Sequence, residues 1–67
     1  MLKKINNDLR ERLSGISQTS LVIKSGVNQP ALSLWQRGSD LTYAQLLKLA
    51  DAFGYDIFME LRVKVEG

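Results

Sequence analysis

A chain of 67 residues with a net charge of +2 holds one domain. A domain of this size buries little surface on folding, so added stability from a partner is expected. There is no cysteine and no histidine, which excludes disulfides, zinc sites built on those residues, and the Ser-His-Asp and Cys-His nucleophile systems.

Charge is unevenly spread. Up to residue 38, Lys3, Lys4, Arg10, Arg12, Lys24 and Arg37 oppose only Asp8 and Glu11. Beyond it, Asp40, Asp51, Asp56, Glu60 and Glu66 outnumber Lys48, Arg62 and Lys64. The first part suits a polyanion and the second does not. The opening run Met1 to Asp8 turns polar before an apolar region forms, so no export is expected, and the absence of cysteine fits a cytoplasmic location. The apolar runs are far shorter than the roughly 20 residues needed to cross a bilayer.

Leu2, Ile5, Leu9 and Leu13 recur at spacings of three and four, which predicts a first helix over about residues 2–13 with Lys, Asn and Arg on its other face. Ser14-Gly15 ends it. Ser17 then stands as the N-cap of a short second helix whose Leu21 and Val22 face inward, and Ser25-Gly26 stops that helix. The third helix opens with Asn28 as N-cap and Pro30 in the first turn, and closes at Gly38. At 100° per residue Ala31, Leu32 and Trp35 share one face, while Gln29, Pro30, Ser33, Leu34 and Arg37 point away.

Thr42-Tyr43-Ala44-Gln45 is a capping box for a fourth helix with Leu46, Leu49, Ala50 and Phe53 as its buried stripe and Gly54 as terminator. The period then changes to two: Ile57, Met59, Leu61, Val63 and Val65 alternate with Phe58, Glu60, Arg62, Lys64 and Glu66. This predicts one strand over residues 56–65. Every other segment is already helix or turn, so its unpaired amides and carbonyls call for a second copy of the chain. A homodimer follows, with Ile57, Met59, Glu60, Leu61, Arg62 and Val63 at its interface. Centring the antiparallel pairing on Leu61 sets Glu60 against the partner's Arg62, where opposite charges help.

The segment from Gln18 to Gly38 resembles the XRE family, the Cro and phage-repressor type of helix-turn-helix. The likeness lies in Gln18 opening the second helix, Val22 four residues on, Gly26 in the turn, Leu32 and Trp35 in the third helix, and the Gln36-Arg37-Gly38 ending. Residues 46–54 resemble the helix that follows in that family. Val22 stands where the family usually has Ala, Pro30 where a polar residue often faces DNA, and the terminal strand replaces a fifth helix. The resemblance implies a mainly α, lambda-repressor-like domain over residues 1–67, with the helix-turn-helix at 18–37 and one C-terminal strand pairing across the dimer.

That resemblance implies a sequence-specific DNA-binding regulator, a repressor on an inverted-repeat operator in double-stranded DNA. A helix fits the major groove of B-DNA and reads base edges from its N-terminal end. Gln29 is the best-placed reader, because its amide donates and accepts together, as adenine N6 and N7 require. Asn28 either reads a base or only caps its helix. Ser33 touches a base or a phosphate. Leu34 either packs on a thymine methyl or is a tolerated surface leucine. Gln18 resembles the family's phosphate-contacting glutamine, with Thr19 or Ser20 assisting. Arg37 and Lys24 are candidates for the DNA backbone.

Catalysis is not expected. The five glycines are scattered without a phosphate-binding loop, and Asp51 with Asp56 is too loose a pair for acid-base work. No cofactor or metal is expected. The alternative is an antitoxin that binds a toxin protein and regulates its own operon.

Overall fold

Four helices and a short hairpin make up the computed structural model, which describes residues 2–58 and 60–64, positions 58 and 60 by backbone alone. The helices are α1 (Leu2–Arg12), α2 (Gln18–Ser25), α3 (Gln29–Gln36) and α4 (Tyr43–Ala52), followed by strands β1 (Tyr55–Phe58) and β2 (Glu60–Val63). The mainly helical class expected from the periodicity is what the chain adopts.

Local chemistry sets the helix ends. The Ser17 hydroxyl accepts the Ser20 amide at 3.3 Å, and Asn28 Oδ1 accepts the Ala31 amide at 2.9 Å. Thr42 and Gln45 satisfy each other's backbone amides in a complete capping box. Gly26 takes φ +75°, and its amide returns to the Val22 carbonyl at 2.9 Å. That left-handed conformation costs an L side chain about 1 kcal/mol or more.

The core draws on every helix. Ile5, Leu9 and Leu13 meet Leu21, Leu32, Trp35, Leu46, Leu49 and Ala50, with Val27 and Leu41 closing it from the loops. α2 packs on both α3 and α4, while β1 lies against α4 and β2 against α1. Leu61 of β2 is only 7% exposed, so the hairpin contributes to the same core.

Two sequence expectations are corrected. Asn6, assigned to the polar face of the first helix, is fully buried. Its Oδ1 accepts the Trp35 indole N–H at 3.1 Å and the Leu41 amide at 2.9 Å, and its Nδ2 donates to the Leu2 carbonyl at 2.9 Å. A buried indole needs an acceptor, and Asn6 supplies it.

The second correction concerns the terminal strand, expected as one unpaired stretch over residues 56–65. The chain instead folds back on itself, pairing Tyr55 with Val63, Asp56 with Arg62, Ile57 with Leu61 and Phe58 with Glu60. The Lys64 amide extends the ladder to the Gly54 carbonyl at 2.9 Å. Amides that seemed to require a second chain therefore find partners within the first. Met59, Val65 and the side chain of Glu60 lie outside the described residues. Of the other residues expected at a dimer interface, Ile57 packs on the core, whereas Arg62 and Val63 are exposed. Lys64 pairs with Asp51, and that hydrogen bond raises the lysine pKa above its ordinary value.

Candidate nucleic-acid interface

Three residues, Gly26, Val27 and Asn28, join α2 to α3. Gly26 reverses the chain, Val27 is buried beneath the turn, and Asn28 caps the new helix. Gln18, at the start of α2, reaches across and donates from Nε2 to the Gln29 carbonyl at 3.3 Å. The first turns of α2 and α3 therefore adjoin, and each carries amides left without intrahelical partners and the positive end of a helix dipole.

α3 has two distinct sides. Leu32 and Trp35 are buried and Ala31 packs beside them, while Gln29, Pro30, Leu34, Gln36 and Arg37 are exposed and Ser33 is half-buried. Of the outward set expected from helical phase, Gln29, Pro30, Leu34 and Arg37 lie on the solvent side, Leu34 with 54% of its surface exposed, while Ser33 is partly covered. Asn28 has its Oδ1 engaged by the cap, which settles that atom's role within the chain.

The expected backbone-contacting residues divide. Gln18 stands beside Gln29, with Thr19 exposed on the same first turn of α2. The Ser20 hydroxyl accepts a hydrogen bond from that of Ser17 at 3.1 Å. Arg37 is exposed as the C-cap of α3, eight residues beyond Gln29 and so about 12 Å along the axis. Lys24 is set apart. It lies in the last turn of α2, about 9 Å along the axis from Gln18, and its ammonium stands over the Phe53 ring at 5.4 Å.

What holds α3 in place was not assigned from the sequence. Arg10, read there only as a positive charge, donates from Nε to the Trp35 carbonyl at 2.5 Å, from Nη2 to the Ser39 carbonyl at 2.7 Å, and from Nη1 to Asn7 at 2.8 Å. Its guanidinium also lies 5.4 Å from the centre of the Trp35 ring and 3.7 Å from Asp40. A fixed fork of donors beside carbonyls at the C-terminal end of a helix satisfies orphan acceptors and favours the negative dipole end. Asn6 holds the same tryptophan from beneath, so α1 clamps α3 at both its backbone and its indole.

These contacts also redistribute charge. Arg10 faces Asp40, and Arg12 pairs with Asp8 at 2.9 Å, a hydrogen bond that raises the arginine pKa. The positive excess of the first 38 residues is therefore thinner in space than along the chain. Among the described residues, no helix is long and apolar enough to cross a membrane. No protein-family model, curated protein or solved structure matches the chain.

Proposed function

We propose that the chain is a sequence-specific DNA-binding transcriptional regulator, a cytoplasmic repressor that inserts α3 into the major groove of an inverted-repeat operator. The observation that carries this reading is the Gln18–Gln29 contact. It brings the first turns of α2 and α3 together beside the exposed side of α3, which begins at Gln29. Phosphates suit such amide-bearing helix ends, and a glutamine amide matches the donor and acceptor of adenine.

In this reading Gln29 contacts a base, with Ser33 and Leu34 beside it and Asn28 offering its Nδ2 while Oδ1 caps the helix. Gln18, Thr19 and Arg37 meet the DNA backbone. Lys24 is the weakest member of the set, since its ammonium is drawn to Phe53. The inner face of α3 is structural, and the protein acts by occupying DNA rather than by catalysis.

One short helix contacts few bases, so specificity calls for using it twice. We propose a homodimer joined through the C-terminal strands, with half-site centres about 34 Å apart, one turn of DNA. Selection from random duplex DNA tests the reading: the protein should enrich a palindromic motif. Failure to enrich any motif above input would overturn it.

A further inference from the structure

We infer that Pro30 and Leu34 form an apolar strip on α3 that recognises the C5 methyl group of a pyrimidine in the major groove, so that binding depends on base methylation. The inference deepens the DNA-binding reading above and rests on it.

The outward side of α3 has two halves. Residues four apart on a helix differ by about 40° in direction, so Gln29 and Ser33 share the polar half, and Pro30 and Leu34 the apolar half. The latter two are neighbours one turn apart, with Cβ atoms about 5–6 Å from each other. Both are exposed, whereas Leu32 and Trp35 take the helix into the core on its other side. Two adjoining apolar side chains thus stand in water beside the proposed base reader Gln29.

Their chemistry narrows what they can meet on DNA. Pro30 has no amide hydrogen to donate to a phosphate, and its ring presents only methylene groups. The leucine side chain likewise offers no donor or acceptor. Among the groups that distinguish base pairs in the major groove, the thymine methyl is the apolar one, and the rest donate or accept hydrogen bonds. A pair of side chains one turn apart can close on that methyl from two directions.

The strip is held before DNA arrives. Pro30 lies in the first turn of α3 with its φ fixed by the ring. At the other end, the Leu34 carbonyl accepts the amides of Arg37 and Ser39, both at 3.0 Å, and Arg10 grips the carbonyl of the following residue, Trp35. A preorganised surface loses little conformational freedom on contact. Cytosine methylated at C5 carries the same group as thymine, so a position read in this way responds to methylation of the DNA as well as to its sequence.

The test starts from the palindrome enriched by the full-length protein. Each half-site thymine is replaced in turn by uracil, which lacks only the methyl, and Kd is measured by fluorescence anisotropy. One position in each half-site should lose about fourfold, the value of one buried methyl, hence about sixteenfold when both half-sites carry uracil. At that position 5-methylcytosine should bind about fourfold tighter per half-site than cytosine. In Leu34→Ser, which alters an exposed side chain, both ratios should fall towards one. A purely structural role for the pair would instead weaken thymine and uracil operators alike and leave the ratios unchanged.

An enriched palindrome whose thymines all accept uracil without loss, or one with no thymine in its half-sites, would overturn the inference and leave the regulator reading standing. Failure to enrich any motif would overturn both. A Leu34→Ser protein that keeps the full preference for thymine would overturn the strip as the reader of the methyl.

Discussion

The helical body and the C-terminal hairpin are built on different principles. In the body, local signals and long-range packing agree. Ser17, Asn28 and Thr42 each cap the helix that hydrophobic spacing predicts, and each helix buries most of the stripe its spacing marks out, with Leu2 exposed and Val22 and Phe53 half-buried. In the hairpin they part company. Alternation specifies extended backbone over the whole segment, yet residues 55–58 and 60–63 form two strands that pair with each other. Agreement across levels specifies one structure, and local conflict leaves room for a second arrangement of the same strands.

The most severe test of the body is Asn6→Ala. It removes the acceptor for the Trp35 indole and the Leu41 amide, and two buried donors left without partners cost about 2–5 kcal/mol together. Small domains have total stabilities near the lower end of about 5–15 kcal/mol. Urea unfolding should therefore show a midpoint lowered by about half or more. A midpoint near that of the wild type would remove Asn6 as the pin between α1 and α3.

A smaller effect is expected in the hairpin. Leu61→Ala empties a buried position at the edge of the core and should cost about 2 kcal/mol in urea unfolding, the low end for a buried leucine because a hairpin can settle inward. If hairpin and body are as distinct as their construction suggests, far-ultraviolet circular dichroism of the native variant retains its helical signal. Loss of helix in step with the hairpin would break the comparison and make the two one cooperative unit.

Much of the body was legible because its signals are short-range. A side-chain oxygen three residues before an amide, or a glycine after the last periodic leucine, acts within one turn of chain. The outward set of Gln29, Pro30, Leu34 and Arg37 followed from helical phase for the same reason. Asn6 was also within reach. It falls in register with Leu2, Leu9 and Leu13 at spacings of four, three and four, and a buried tryptophan elsewhere in the chain calls for an acceptor. Its polarity outweighed its phase.

Arg10 was less accessible, since its acceptors are backbone carbonyls at residues 35 and 39, and every residue carries a carbonyl. The hairpin was hidden for a third reason. Strand pairing is set by geometry at a distance, and alternation reports that a residue is extended without saying which edge it meets. Pairing of the segment with itself satisfies amides that a second chain could equally satisfy.

α3 has one held face and one open face. α1 grips its inner face through Asn6 and Arg10, and its outer face carries a small set of exposed side chains led by Gln29. A rigid helix with a free polar surface is suited to reading bases, because contacts within about 0.5 Å of the right geometry demand a fixed support.

The most direct test of that claim repeats the random-DNA selection with Gln29→Ala. Gln29 is exposed, so the variant should fold as the wild type does. It should lose discrimination at one position in each half-site, by about 1–3 kcal/mol for the lost bidentate contact, while keeping the palindrome and its spacing. An enriched motif identical to that of the wild type would contradict the account.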